Sequence, residues 1–404
     1  MKKPLSGVKV LEVDTFTAAS ACGRLLGEWG AEVIKVEMVT GEPGRVVAGA
    51  TFGAPCLPEE NPCFECNNAY KKSLALNLKD PRGLDALHKL ADQCNVFFTN
   101  YRPNALKKMG LDYESFHKLH PHTIWAQLTG YGEVGPAADD AGYDAVAFWA
   151  RSGAMIDSAE KDTVPIIPVT GFGDRTTSCS LAGAICAALY HQAKTGEGQK
   201  ITVSLYGQAI WNAGETIWAV QYGDKYPKSR ENPGTPIANS YKDSNGEWMY
   251  ISCYNYPGQF PGLVKALGRE DLLSNEKFAN LRKAKENGKE LVSILESEFA
   301  KHDAQYWTSK MKEFDVPFAV VKHVTDVFTD EQAKLNGFVL EYSHRNGKTT
   351  IGSQSPVQFG ESEDLSYVNA PLLGADSKHY LKEAGLSDEE IQQMINDKVT
   401  VTIE

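Results

Sequence analysis

The chain has 404 residues, 42% hydrophobic and 23% charged, which is ordinary for a globular protein and allows two or three domains. Its formal net charge of −11 disfavours nucleic acid as a partner, because neutralising phosphates requires a basic footprint. No apolar run approaches the roughly 20 residues of a membrane span, and the N-terminus lacks a signal-peptide pattern. We therefore expect a cytoplasmic protein that binds neither membrane nor nucleic acid.

The first half of the chain alternates between strand and helix patterns. "GVKVLEVD", "SACGRLLGEWG" and "AEVIKVE" predict a β-α-β unit, and Asp80 with Pro81 opens a predicted helix further on. "CNVFFTN", "TIWAQLTGYG" and "QKITVSL" predict strands, and "YESFHKLHP" predicts a helix. We expect an α/β domain with an open Rossmann-like parallel sheet over residues 1–215. The G-x-G-x-x-G turn of dinucleotide sites is absent after the first strand.

The pattern changes near residue 225, where "KYPKSRENPGTP" is polar and proline-rich. Hairpins are predicted around Asn245-Gly246 and Asn346-Gly347. Ser387 and Glu390 form the capping box of a last helix. These signals predict a linker and small α+β domain over 216–330 and a C-terminal segment over 331–404.

The cysteines offer little support for a metal site. Only Cys63 and Cys66 have C-x-x-C spacing, and Cys56 lies nearby. A zinc site would require a fourth cysteine or histidine at matching spacing, which is not evident. We therefore expect no metal and interpret these residues as reduced cysteines in a loop.

Asp174 stands between "TGFG" and the apolar run "SLAGAICAALYHQ", which predicts a buried helix beginning near this acid. Asp174 could simply cap an N–H of Thr176 or Thr177. The same position suits a nucleophile, because a helix N-terminus favours an ionised carboxylate and neighbouring N–H groups could hold an oxyanion. Gly171 and Gly173 would let a ligand approach the backbone. Such a carboxylate can attack an activated acyl group and form a mixed anhydride.

Five segments, in order, resemble the class III coenzyme A transferases, the family of formyl-CoA and carnitine CoA-transferases. The resemblance covers about residues 4–395 and is carried by "PLSGVKVLEVDTFTAASACGRLLGEWGAEVIKVE", "KKSLALNLKDPRG", "NYRPNALKKMGLDYE", "GFGDRTTS" with "KTGEGQKITVSL", and "APLLG" with "LKEAGLSDEEI". It implies a C-terminal segment that returns to the large domain. It also implies an interlocked homodimer, with each chain threaded through a ring in the other.

The resemblance also implies roles for individual residues. Asp174 matches the acyl-carrying nucleophile of the family, whose substrates are an acyl-CoA and a carboxylic acid. No metal and no tightly bound cofactor is implied, since the CoA thioester is itself a substrate. The CoA contacts of the family fall on Leu76, Lys79, Asn100, Tyr101, Arg102, Lys108, Ala141, Gly142, Tyr143 and Asp144.

The basic residues of these segments divide into two groups. Lys79, Arg102 and Lys108 could supply cations for the nucleotide phosphates of CoA. Lysines 71, 72 and 107 belong to the same basic stretches, and we interpret them as solvated surface charges.

The sequence departs from the formyl-CoA branch of the family at three places. Thr17 stands where a glutamine is expected, Met38 stands where an arginine is expected, and "SCYNYPGQF" replaces a glycine-rich flap. These departures disfavour oxalate and formate and question an adenine contact at Met38. The overall resemblance favours a 2-hydroxy acid such as 2-hydroxyisocaproate or phenyllactate. Four aromatic residues could line its acyl pocket or belong to the core: Phe16, Tyr143, Phe148 and Trp149.

Two alternatives stay open. The first is an α-methylacyl-CoA racemase-like enzyme, which would pair Asp174 with a second proton-transfer group. Tyr143 occupies the position of the histidine in the "AGHD" segment of those racemases. Because phenols lose their proton only near pH 10, this replacement favours the transferase. The second alternative is a non-catalytic CoA-binding protein in which Asp174 is only a helix cap.

Overall fold

The computed structural model describes residues 3–46, 61–360 and 367–403. Its strands are β1 (Lys9–Val13), β2 (Glu32–Glu37), β3 (Lys71–Leu76), β4 (Val96–Thr99), β5 (Ile124–Thr129), β6 (Lys200–Ser204), β7 (Ala238–Lys242), β8 (Trp248–Ser252), β9 (Phe318–Val320), β10 (Val339–Ser343), β11 (Thr349–Ser353) and β12 (Thr400–Val401).

The helices alternate with these strands through the first half of the chain. They are α1 (Ala18–Glu28), α2 (Pro62–Asn68), α3 (Pro81–Ala91), α4 (Pro103–Met109), α5 (Tyr113–Leu119), α6 (Ala154–Asp157), α7 (Phe172–Thr195), α8 (Leu205–Asn212), α9 (Gly214–Gln221), α10 (Tyr256–Ala266), α11 (Leu281–Glu286), α12 (Gly288–Phe299), α13 (Ala304–Glu313), α14 (Glu331–Leu335), α15 (Ser377–Glu383) and α16 (Asp388–Asn396). A π-helix spans Asp144–Ala150, and 3₁₀ turns span Glu270–Leu273, Glu276–Phe278 and Val324–Phe328.

The chain divides into two compact units. The first contains residues 1–154, 168–217 and 331–404, and the second contains residues 155–167 and 218–330. We expected residues 155–167 in the first domain, but they belong to the second unit. They belong there because Lys161 N–H donates to Lys228 C=O at 2.9 Å and the Glu160 carboxylate accepts from Arg230 N–H.

One sheet forms the centre of the first unit, with strand order β12-β3-β2-β1-β4-β5-β6. The strands from β3 to β6 run parallel, and β12 pairs antiparallel with β3 at the edge. The inner strands are buried along nearly their whole length, as expected when helices cover both faces of a parallel sheet. The prediction of a mixed α/β protein with a largely parallel central sheet is confirmed.

Two apolar layers enclose this sheet. On one face α1 and α7 pack with α8 and the π-helix around Val10, Phe98 and Leu181. On the other face α3, α5, α15 and α16 pack around Phe97 and Trp125. The sheet is therefore the middle layer of a three-layer α/β/α arrangement.

The local signals for turns and caps are also confirmed. Asp80 accepts a hydrogen bond from Arg82 N–H at the start of α3, and Ser387 with Glu390 forms both bonds of the capping box. Strands β7 and β8 pair across Asn245-Gly246, and β10 and β11 pair across Asn346-Gly347. Gly246 and Gly347 have φ values of 83° and 84°, a left-handed conformation that glycine adopts at no steric cost.

The second unit is a small α+β body. Strands β7, β8 and β9 form an antiparallel sheet, and α10, α12 and α13 pack against it. Its core is aromatic: Tyr241 stacks on Phe299, which meets Trp307 edge-on.

Cys63 and Cys66 lie in helix α2 and not in the predicted loop. Asn61 caps this helix by accepting from Phe64 N–H, and Pro62 occupies its first turn, where no N–H is needed. Cys56 lies outside the described residues. Among the residues that are described, no three metal-binding side chains are grouped, and no helix has the length and apolarity to span a membrane.

Candidate active site

A cavity of about 370 Å³ lies at the carboxyl ends of β1, β4 and β5. The chain leaves β1 and β4 toward opposite faces of the sheet, so a crevice forms where the strand order reverses, the usual ligand position in open α/β sheets. Its lining includes Thr15, Phe16, Thr17, Asn100, Tyr101, Arg102, Leu128, Thr129, Gly130, Asp140, Ala141, Gly142, Tyr143, Asp174 and Leu205.

The cavity brings together most of the residues singled out from the sequence. Its wall contains Asn100, Tyr101, Arg102, Ala141, Gly142, Tyr143 and Asp174. Three chain segments, after β4, before the π-helix and at the start of α7, supply them. These segments are far apart in sequence and meet because parallel strands end at the same edge.

Four of the singled-out residues lie outside this lining. Leu76 is buried at the end of β3, and Lys79 follows it on the surface. Lys108 is exposed on α4, and Asp144 is buried beside the start of α7. Since β3 is two strands from β1, whose carboxyl end borders the cavity, and neighbouring strands lie about 4.8 Å apart, Lys79 is on the order of 10 Å along the same edge from the cavity.

Asp174 occupies the first turn of α7, a helix of 24 residues. The N-cap of this helix is Gly171, whose φ of 81° favours glycine and which has no side chain to cap the helix. The structure therefore gives no support to Asp174 as a simple cap. Its carboxylate instead contributes to the cavity wall.

The side chain of Asp144 lies against the backbone N–H groups that we expected to face a ligand. Its Oδ2 accepts from Gly171 N–H at 2.8 Å, and the N–H groups of Gly173 and Asp174 also stabilise its charge. A Cβ added to Gly173 would lie 2.2 Å from Asp144 Oδ1, so glycine is needed for this close approach. The proposed oxyanion donors are therefore directed at a second carboxylate.

This arrangement overturns the expectation that Asp174 stays fully ionised. Burial, and then the nearby charge of Asp144, raise the pKa of Asp174 to about 7, while Arg175 opposes the shift. Burial also raises the pKa of Asp144, although the nearby N–H groups of Gly171, Gly173 and Asp174 act to lower it. Desolvation and like-charge repulsion thus outweigh the helix N-terminus here.

The four candidate aromatic residues separate into two pairs. Phe16 and Tyr143 line the cavity and meet edge-on, with ring centroids 5.7 Å apart. Phe148 is buried in the core, and Trp149 packs against that same core, as aromatic residues beside a sheet usually do. Only the first pair can contact a substrate in the cavity.

Gly142 has a packing role in the "AGYD" segment. A Cβ added to Gly142 would lie 2.6 Å from the Cα of Gly130, and one added to Gly130 would lie 2.8 Å from the Cα of Gly142. The two backbones therefore touch, which brings Tyr143 against the end of β5.

Lys71 contradicts its interpretation as a surface charge. It is buried, and its Nζ donates to Glu12 Oε1 at 2.7 Å and to Asn68 Oδ1 at 2.8 Å. Lys35, also buried, bonds the same glutamate at 3.0 Å and Asp14 at 2.5 Å. Lysines 72 and 107 are exposed, as expected. The alternation along β3 explains the difference, because successive side chains point to opposite faces.

Comparison with known proteins identifies the family. The family model described as "CoA-transferase family III" matches residues 5–377. The chain belongs to this family. It is therefore a CoA-transferase, which decides against the non-catalytic alternative.

The relatives of this CoA-transferase span nearly its full length. It is 36% identical to the (R)-2-hydroxy-4-methylpentanoate CoA-transferase of Clostridioides difficile, over 98% of this chain and 99% of that protein. It is 36% identical to the cinnamoyl-CoA:phenyllactate CoA-transferase of Clostridium sporogenes, covering 97% and 96%. The human succinyl-CoA:glutarate CoA-transferase is 33% identical, covering 94% and 86%.

Solved structures show the same fold. A CAIB/BAIF family protein of Brucella suis is 27% identical with a TM-score of 0.79, covering 95% of this CoA-transferase and 100% of that chain. The Rv3272 protein of Mycobacterium tuberculosis is 25% identical with a TM-score of 0.82, covering 94% and 99%.

Sequence reasoning missed several parts of the site of this CoA-transferase. Thr129 and Gly130 follow β5 on the cavity wall, and their position after a parallel strand was the signal that could have identified them. Arg175 fixes the start of α7 by donating to Asn67 Oδ1 at 2.9 Å and to Cys66 C=O at 3.1 Å. Glu42 lies behind the cavity wall, and no sequence pattern marks it.

Proposed function

We propose that Asp174 is the acyl-carrying nucleophile of this CoA-transferase and that its acceptor is a 2-hydroxy carboxylic acid. The observation that carries the proposal is the position of Asp174. It lies in the first turn of a long helix and in the wall of the cavity at the carboxyl ends of β1, β4 and β5. Asn100, Tyr101 and Arg102 are distant from it in sequence but belong to the same wall.

The reaction proceeds in four balanced substitutions. A carboxylate oxygen of Asp174 attacks the carbonyl carbon of the donor thioester. The C–S bond breaks, CoA departs as the thiolate, and an aspartyl anhydride is formed. The thiolate then attacks the aspartyl carbonyl, which releases the donor acid and forms an aspartyl–CoA thioester. The acceptor carboxylate displaces the thiolate from this thioester and forms a second anhydride. The thiolate finally attacks the acceptor carbonyl, which yields the new acyl-CoA and frees Asp174.

A pKa of about 7 suits this role. A nucleophile must be ionised to attack, yet a strongly stabilised carboxylate would be a poor nucleophile and a poor acyl carrier. A carboxyl group with its pKa near the working pH keeps a large ionised fraction without excess stabilisation.

The substrate assignment rests on the cavity wall and the relatives. Phe16, Tyr143, Leu128 and Leu205 make part of the wall apolar. Two relatives act on acids with a branched or aromatic side chain, as their names state. Because each buried CH₂ contributes about 0.8 kcal/mol, a four-carbon side chain could gain on the order of 10²-fold in kcat/KM over a short one.

The CoA moiety would extend from the cavity along the carboxyl edge of the sheet. Arg102 is exposed on the wall and could pair with a phosphate, and Lys79 and Lys108 are exposed cations on flanking elements. Met38 follows β2 and is 54% exposed, so its thioether could cover the adenine by apolar contact.

The test is acceptor competition with one acyl-CoA donor. The panel contains 2-hydroxyisocaproate, phenyllactate, lactate, oxalate and succinate. We expect 2-hydroxyisocaproate or phenyllactate to exceed lactate in kcat/KM. A preference for oxalate or succinate would overturn the substrate assignment and leave the CoA-transferase assignment intact. Exchange of the α-proton of the acyl-CoA into solvent would instead support the racemase-like alternative.

We further propose that the enzyme is a cytoplasmic homodimer of the interlocked type. Large apolar side chains on its surface support a second copy: Trp211 is 81% exposed and Tyr222 is 85% exposed. The chain also places residues 218–330 in a separate unit between two stretches of the first unit, which is compatible with mutual threading.

A further inference from the structure

We propose that Glu42 is a positioning residue for acceptor selectivity, because it holds Phe16 in a left-handed backbone conformation that makes its ring a wall of the acyl pocket. The inference rests on the proposed function of the cavity as the acyl site. Glu42 is absent from the cavity lining, so it acts on the substrate through Phe16.

Phe16 has an unusual backbone. Its φ is +63°, in the left-handed region that bulky side chains rarely adopt. Such conformations persist only where surrounding contacts impose them, and they are concentrated at functional sites. In this conformation the ring lies in the cavity wall and meets Tyr143 edge-on at 5.7 Å.

Two side chains impose the conformation of this turn. Glu42 Oε2 accepts from Phe16 N–H at 2.9 Å and from Gly44 N–H at 3.0 Å. Asn100 accepts from Thr15 N–H at 3.1 Å and donates to Thr15 C=O at 2.7 Å. Asn100 fixes residue 15, but the N–H of residue 16 is bonded to Glu42.

Glu42 is itself fixed. Its carboxylate is buried, and Lys35 Nζ lies 3.9 Å from Oε1. Its own N–H donates to Glu37 Oε2 at 3.3 Å, and Arg45 holds Glu37 through two bonds of 2.7 Å. Because Lys35 and Glu37, the side chains that contact Glu42, are themselves held by other charged groups, a change at residue 42 is transmitted to Phe16 and not absorbed by a flexible neighbour.

A purely structural role would give a different result. Glu42 also belongs to a buried ionic cluster, so its loss could lower stability and affect all acceptors equally. A positioning role predicts instead a change in the ratio of kcat/KM for two acceptors that differ only in side-chain size. That ratio is insensitive to the amount of folded enzyme.

The experiment compares Glu42→Leu, Glu42→Gln, Phe16→Gly and the double variant Glu42→Leu/Phe16→Gly. The measured quantity is kcat/KM for 2-hydroxyisocaproate divided by that for lactate. We expect Glu42→Leu and Phe16→Gly each to lower the ratio about tenfold. Glu42→Gln should keep the wild-type ratio, since its amide oxygen can still accept from Phe16 N–H. Glu42→Leu should change nothing further in the Phe16→Gly background.

Glu298→Leu is the matched control, because Glu298 is a buried, ion-paired glutamate in the second unit. It should leave the ratio unchanged. If Glu42→Leu does not fold, Glu42→Ala replaces it with the same readout. The proposal would be overturned if Glu42→Leu lowered kcat/KM equally for both acceptors. It would also be overturned if Glu42→Leu lowered the ratio as much in the Phe16→Gly background as in the wild type. If wild-type enzyme rejects 2-hydroxy acids, the proposed function fails, and the ratio is taken for the two acceptors that it discriminates best.

Discussion

At the scale of single residues, the site is defined by two carboxylates that share one helix end. Asp144 takes the N–H groups that begin α7, and Asp174 is left with a raised pKa in the cavity wall. Like charges held this close oppose each other, so each proton affinity depends on the neighbour. The site therefore stores unfavourable energy that the rest of the fold must offset.

This pairing predicts the pH dependence of activity. Because Asp174 must be ionised to attack, kcat/KM should rise with pH through about 7 and level off above it. Asp144→Asn removes the neighbouring charge, so the rising limb should move to lower pH. The measurement is the pH profile of kcat/KM for both enzymes. A limb that does not move would show that Asp144 does not contribute to the pKa of Asp174.

The same shift predicts a stability effect. The folded-state pKa of Asp174 lies above its unfolded value, so its contribution to stability is lost as pH rises from about 4 to about 7. Asp174→Asn should therefore abolish turnover yet raise the free energy of unfolding by about 1 kcal/mol or more at pH 8, with a smaller gain at pH 5. Denaturant unfolding at the two pH values measures this. An equal or negative change at pH 8 would contradict it.

At the scale of elements, β3 shows how alternation decides the role of a charge. Lys71 and Lys72 are neighbours in sequence, but Lys71 points into the buried cluster and Lys72 points to solvent. Burial, and then Asp14, raise the pKa of Glu12 to about 8, while Lys71 and Lys35 oppose the shift. Lys71 is therefore a counter-charge for a buried carboxyl group.

The two lysines supply a matched pair of variants. Lys71→Met should lower the free energy of unfolding by about 3 kcal/mol, because it removes one of the two buried lysines that bond Glu12 and leaves only Lys35 for Glu12 and Asp14. Lys72→Met should change it by no more than about 0.5 kcal/mol. The loss in Lys71→Met should grow as pH rises from about 7 to about 9, since Glu12 ionises near pH 8 in the wild type and less readily without Lys71. Chemical denaturation of both variants checks the difference, and similar losses would show that Lys71 carries no such role.

At the scale of the whole molecule, the first unit is assembled from both ends of the chain. Residues 1–154 and 331–404 belong to it, and β12 completes the edge of its sheet beside β3. In an interlocked dimer, separating two such chains would require a sheet edge to open. Exchange of subunits would then be limited by partial unfolding.

The dimer prediction can be tested by subunit mixing. We expect a dimer whose sedimentation is independent of concentration down to nanomolar protein. Two differently labelled samples should form mixed dimers only after treatment with denaturant. Rapid exchange under native conditions, or a monomer at any of these concentrations, would contradict the interlocked assembly.

The sequence predicted the sheet better than it predicted the site. Period-2 and period-3.6 patterns and the Asn-Gly turns are local, so β1, α3 and both hairpins could be predicted from short windows. The burial of Lys71 and the position of Asp144 depend on contacts between segments that are distant in the chain. The left-handed backbone of Phe16 could not be predicted either, because nothing in "DTFTA" requires it.

The central claim is that Asp174 carries the acyl group, and trapping the intermediate tests it most directly. The enzyme is mixed with acyl-CoA, treated with borohydride or hydroxylamine, digested and analysed by mass spectrometry. Borohydride should convert the Asp174 side chain to an alcohol, and hydroxylamine should convert it to a hydroxamate. Neither product should form without acyl-CoA or in Asp174→Asn. Modification of another carboxylate, such as Asp140 in the same cavity wall, or turnover with no modified Asp174, would contradict the account.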